Sequence, residues 1–155
     1  LHVVQWLYAR VGDKREKWQW KLEALKGAAR NGQMPVIQRL NVLPWQLPVE
    51  HLDRGIGEVM VVAAASGQLE VIRWMMERFL MVSEEEALAA AVVAGKGPVE
   101  AFLMSTCGEE TMELALSSAL ARLAADNDVE QVGRLIKRCS VGCPRCTVQT
   151  MRTKV

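Results

Sequence analysis

Three cysteines crowd the C-terminal end, in Cys139-Ser140-Val141-Gly142-Cys143-Pro144-Arg145-Cys146. Two thiolates at Cys-x-x-Cys spacing converge, so Cys143 and Cys146 can chelate Zn²⁺ or exchange thiols. A structural zinc site takes four ligands. Cys139 is the nearest third, and Cys107 completes the set only if the tail folds back. No strand precedes the pair, as a thioredoxin-like site requires. The expected state is therefore free thiols on a tail and no metal, with zinc on Cys139, Cys143 and Cys146 as the alternative. Elsewhere chemistry is sparse. His2 and His51 have no His-Glu-x-x-His or Gly-x-Ser-x-Gly around them. Gly95-Lys96-Gly97 lacks the earlier glycine of a phosphate loop (Ala90 stands there) and the Ser/Thr after the lysine, so it reads as a turn. Catalytic residues, a cofactor and a small-molecule substrate are not expected. Residues 131–155 carry Arg134, Lys137, Arg138, Arg145, Arg152 and Lys154 without an acid. They lack the interleaved aromatics that stack on bases, so a solvated tail is expected and a nucleic-acid partner is not.

The chain has 155 residues, half of them hydrophobic, and a formal charge of +1. That length suits one domain, and the charge argues against a polyanion binder driven by bulk electrostatics. The longest apolar runs, 59–65 and 87–94, fall well short of the roughly 20 residues that span a bilayer. They suit buried helices, and no membrane span is expected. The sequence begins at Leu1 in the middle of a pattern, which reads as a fragment of a longer protein. The expected compartment is cytoplasmic or nuclear, with secretion left open because the N-terminus reads as truncated.

That pattern is a repeat. Small residues, a turn residue and an amphipathic segment recur at Ala28-Ala29-Arg30-Asn31-Gly32, Ala63-Ala64-Ala65-Ser66-Gly67, Ala91-Val92-Val93-Ala94-Gly95 and Leu123-Ala124-Ala125-Asp126-Asn127. The turn residues Gly32, Gly67, Gly95 and Asn127 lie 35, 28 and 32 residues apart, a unit of roughly 33. Leu1-His2-Val3-Val4-Gln5-Trp6-Leu7 superimposes on the segment from Leu69 to Met75, as half of one more unit. Each turn should join two helices, the first packed through its small residues and the second through apolar positions three and four apart. Pro35 suits the first turn of a helix, and Ser83-Glu84-Glu85-Glu86 has the spacing of a capping box. Residues 41–57 read as an irregular segment, broken by Pro44, Pro48 and Gly55-Ile56-Gly57. Residues 15–21 read as a charged stretch before the first inner helix. Trp6 and Trp74 share one repeat position and are expected to pack.

Small-small-x-x-Gly-x-Leu-x-Val-Val-x-x-Leu after a short helix resembles the ankyrin repeat. The Thr-Pro-Leu-His opening of that family is reduced to its leucine in Glu23-Ala24-Leu25-Lys26, Glu86-Ala87-Leu88-Ala89 and Ser118-Ala119-Leu120-Ala121. The resemblance covers residues 1–138, about four and a half units, with 139–155 as a basic cysteine-containing tail. It implies a nearly all-α helix–turn–helix solenoid with short or missing β-hairpin fingers. The implied function is protein recognition on the concave face, where Trp18, Trp20, Arg30, Asn31, Trp45, Arg54 and Ser66 would make contact. Lys14, Arg15, Lys17, Lys21 and Arg30 make that patch basic, so an acidic or phosphorylated partner protein is expected. The rival readings are a recruitment array within a larger enzyme or effector, and a zinc-binding C-terminal module.

Overall fold

The computed structural model describes residues 6, 9, 10, 12, 14–42, 49–79 and 84–142, and what it describes is all-α. Eight helices occupy these residues: α1 Lys14–Arg30, α2 Met34–Val42, α3 Val49–Ser66, α4 Leu69–Arg78, α5 Glu84–Val93, α6 Gly97–Thr106, α7 Glu109–Ala125 and α8 Val129–Gly142. They form two layers. The odd-numbered helices stack on one another in order, α1 on α3 on α5 on α7, and each even-numbered helix packs against the odd one before it. No strand occurs among the described residues.

One device joins each odd helix to the next even one. Gly32, Gly67, Gly95 and Asn127 have φ of 64°, 80°, 65° and 55°. At each, the turn residue donates its N–H to the carbonyl three residues back, and the next residue donates to the carbonyl five back. These bonds are Gly32 to Ala29 with Gln33 to Ala28, Gly67 to Ala64 with Gln68 to Ala63, Gly95 to Val92 with Lys96 to Ala91, and Asn127 to Ala124 with Asp128 to Leu123. That pair of bonds is the Schellman motif, which satisfies carbonyls a helix end leaves open. Left-handed backbone disfavours a Cβ, so glycine or asparagine stands there. In every case the next helix begins two residues later.

The first glycines have a second reason. A Cβ on Gly32 would meet Gln68 Oε1 at 2.5 Å, and one on Gly67 would meet Lys96 Cδ at 3.2 Å. The residue after the second and third turns thus lies across the turn before it, and Gln68 Nε2 donates to the Arg30 carbonyl at 3.1 Å. Gly95 has open space, so only its φ requires glycine.

The core follows the two layers. Ala63, Ala64, Ala87, Ala89, Ala91, Ala115 and Ala119 are completely buried in the stacked helices. Side chains this small let helix axes approach closely. Larger apolar side chains are buried in both layers, Leu22, Leu25, Met60 and Leu88 on the odd helices and Ile37, Leu40, Ile72, Met75 and Leu103 on the even ones. Burying each stabilises by about 1.5–3 kcal/mol before ordering entropy is set against it.

Three expectations are corrected here. The Gly55-Ile56-Gly57 break does not occur: α3 starts at Val49 and runs through both glycines. Gly55 is held under the side chains of Leu22 and Trp18, and Ile56 is buried, so packing outweighs the helix cost of glycine. The charged stretch at 15–21 is helical, being the first part of α1. Trp6 does not pack like Trp74. It is 54% exposed with the Arg10 guanidinium 4.2 Å over its ring, whereas Trp74 is half-buried with its ring edge-on to Phe79.

Candidate partner-binding surface

The candidate residues come from α1, α3 and the first two turns. Arg30 and Asn31 are exposed at the end of α1, where Asn31 Nδ2 donates to the Gly27 carbonyl at 2.8 Å. Ser66, half-buried, closes α3 at the adjacent turn, and Gln68 links the two turns through the Arg30 carbonyl. Trp18, Trp20 and Arg54 belong to the opposite ends of the same helices. Twelve residues separate Trp18 from Arg30, about 18 Å along a helix. The candidates therefore make two groups along a strip and not one pocket. Trp45 lies outside the described residues.

Within the second group the roles differ. The Trp18 ring packs over Gly55, and its indole N–H is buried with no hydrogen-bond partner among the described residues. Trp20 is half-buried. Arg54 is open to solvent, with Nε 3.8 Å from Glu58 Oε1. Glu58 is also bound at 2.6 Å by Lys26, which reaches Glu23 at 3.1 Å. Those carboxylates, the hydrogen bond to Glu58 first, raise the Lys26 pKa above its ordinary value.

The basic patch is smaller than the sequence suggests. Lys21 is 1% exposed, on the face that carries Leu22, Leu25 and Ala28 into the core. Burial lowers its pKa from 10.5 to about 7, because desolvation penalises the ammonium form. Lys21 cannot present charge to a partner; Arg30 and Arg54 can. A second ionisable side chain is buried, one that the charge pattern does not single out. Glu100 is 1% exposed on α6 at the position where α2 and α4 carry Ile37 and Ile72. Aligning the even helices on their turn residues is the signal that exposes it.

The cysteine chemistry is only partly in view. Cys107 is half-buried just after α6, and burial, with Glu84 nearby, pushes its thiol pKa up. A raised pKa disfavours the thiolate that binds metal or attacks disulfides. Cys139 is carried on α8, while Cys143 and Cys146 lie outside the described residues. Among the described residues no three His, Cys, Asp or Glu side chains gather as a metal site. No helix among them is long and apolar enough to cross a membrane. No protein-family model, curated protein or solved structure matches this chain.

Proposed function

We propose that this chain is an ankyrin-type helix–turn–helix solenoid and serves as a non-enzymatic module that binds a partner protein. The observation behind this reading is the fourfold recurrence of one Schellman turn, each followed two residues later by a helix, along a continuous stack of inner helices. Such a stack offers a long surface assembled from equivalent positions, suited to extended protein recognition. The partner lies along the strip between Arg30, Asn31 and Ser66 at the turns and Trp20 and Arg54 at the other end. Arg30 and Arg54 select an acidic or phosphorylated segment, since arginine pairs with carboxylate or phosphate in a bidentate fork. Trp18 supports that surface from beneath through Gly55.

The test is capture of proteins from lysate with wild type and with an Arg30→Glu, Arg54→Glu variant. Both side chains are exposed, so losing the Arg54–Glu58 pair and the positive charge at the end of α1 should lower the melting temperature only slightly. A prey held by wild type at low salt, weakened by added salt and lost by the variant is the expected result. Identical preys on both proteins, or binding that ignores salt, would sink the surface and the charge of the partner together.

A further inference from the structure

The second turn of the stack gathers groups that the chain itself leaves unused. Arg30 is exposed at the end of α1, Ser66 stands directly before Gly67, and Lys96 follows Gly95. The Lys96 stem nevertheless lies on the second turn. Its Cγ, Cδ and Cε are 3.7, 3.2 and 3.8 Å from where a Cβ on Gly67 would stand, so the ammonium, one bond further on, is beside that turn. On the other flank Gln68 ties the same turn to α1, donating to the Arg30 carbonyl at 3.1 Å. Among the described residues neither the Arg30 guanidinium nor the Lys96 ammonium has an ion pair, and the Ser66 hydroxyl has no hydrogen bond. Glu70, in the first turn of α4, is exposed and pairs with neither cation.

The same three repeat positions hold no such set at the next turn. There Ala65 stands for Arg30, Ala94 for Ser66 and Asp128 for Lys96. The Asp128 carboxylate is occupied at the start of α8, where it accepts from the Gln131 N–H at 3.0 Å. Nothing lies across Gly95 within 4 Å of an added Cβ. Two cations and a free hydroxyl at one turn are therefore particular to this place and do not follow from the repeat.

We infer that this turn reads a single phosphate on the partner protein, held between Arg30 and Lys96 with the Ser66 hydroxyl donating to it. The inference rests on the partner-binding reading above and narrows it. Packed helices stand about 8–10 Å apart, so an anion between the first and second turns is within reach of a long side chain from either flank. A carboxylate offers one charge and a pair of oxygens, which one arginine fork saturates. A phosphorylated side chain brings close to two charges and three acceptor oxygens. That suits a fork from Arg30, the point charge of Lys96 and the Ser66 O–H together. Arg54, at the far end of α3, takes no part in holding the phosphate.

The probe is an immobilised peptide library with phosphoserine at one fixed position among varied neighbours, beside the same library with serine and with glutamate there. Wild type should be retained by the phosphoserine library above both others. Lys96→Met keeps the stem on Gly67 and removes the ammonium. It should weaken that retention about ten-fold or more, and Lys96→Arg should restore it. Ser66→Ala should weaken it by less, since it removes a neutral donor. Equal retention of wild type on the phosphoserine and glutamate libraries would overturn the phosphate and leave the acidic-partner reading standing. So would a preference that Lys96→Met leaves unchanged. Retention on neither would remove both, and wild type bound instead to phosphoinositide vesicles would show the phosphate to be a lipid's.

Discussion

The contact of α1 with α3 and that of α5 with α7 bring inner helices together by opposite means. In the first, the large side chains of Trp18 and Leu22 lie over Gly55, a residue with no side chain of its own. In the second, the buried positions are mostly alanines: Ala87, Ala89 and Ala91 on α5, Ala115 and Ala119 on α7. A large-on-nothing contact loses by truncation, because a cavity opens; a small-on-small contact loses by enlargement, because nothing can move aside. Leu22→Ala should therefore cost about 2–5 kcal/mol, and Ala89→Leu about 1–3 kcal/mol. Urea denaturation of both variants checks the contrast. A tolerated Ala89→Leu would mean that α5 and α7 have room between them.

The α1 end also carries an ammonium the α7 end lacks. The Lys21 amine keeps its proton to about pH 10.5 in the unfolded chain and only to about pH 7 when folded. Folding releases that proton between those values, so stability climbs with pH across the window and is flat below it. Lys21→Met should remove the climb. Melting curves at pH 7 and pH 9 on both proteins decide it: wild type gains between them and the variant does not. Parallel curves would mean that Lys21 is neutral, or solvated, throughout.

The turns separate in a similar way. Gly67→Val forces a branched side chain into left-handed backbone, at about 1–2 kcal/mol, and also displaces the Lys96 side chain. Gly95→Val meets only the backbone cost, as its site is open, and its melting temperature should fall less. Equal losses would show that the packing of Lys96 on Gly67 contributes nothing.

What the sequence disclosed follows from what is local. A left-handed turn is fixed by one residue and its immediate neighbours, so Gly32, Gly67, Gly95 and Asn127 could be read as turns from their spacing alone. Small residues before each turn told that helices approach closely there. Gly55 and Gly57 misled for the same reason in reverse. Locally they read as a break, and only the rings and methyls of α1, some thirty residues earlier in the chain, make Gly55 a packing residue. Lys21 was misplaced because charge pattern alone gives no angle around a helix; the apolar spacing of Leu22, Leu25, Ala28 and Ala29 does. The candidate surface was legible as residue types, Trp and Arg. That it splits into two groups required the length of α1.

The two glycines of α3 offer the smallest effect and the finest distinction. Both stand inside one helix, and in the absence of tertiary contacts either would gain about 0.5–1 kcal/mol from alanine, through helix propensity and a less free unfolded chain. At Gly57 nothing lies within 4 Å of the added methyl, so Gly57→Ala should show that gain in full. At Gly55 the methyl would stand 3.3 Å from Leu22 Cδ1 and 3.4 Å from Trp18 Cζ2. Those side chains must retreat, and the packing they lose opposes the helix gain. Gly55→Ala should therefore fall short of Gly57→Ala, and Gly55→Ala combined with Leu22→Ala should restore the full helix gain relative to Leu22→Ala alone. That double-mutant cycle isolates the α1–α3 contact from helix propensity. Additive effects would mean that α1 does not rest on Gly55, and the large-on-nothing description of this contact would fail with it.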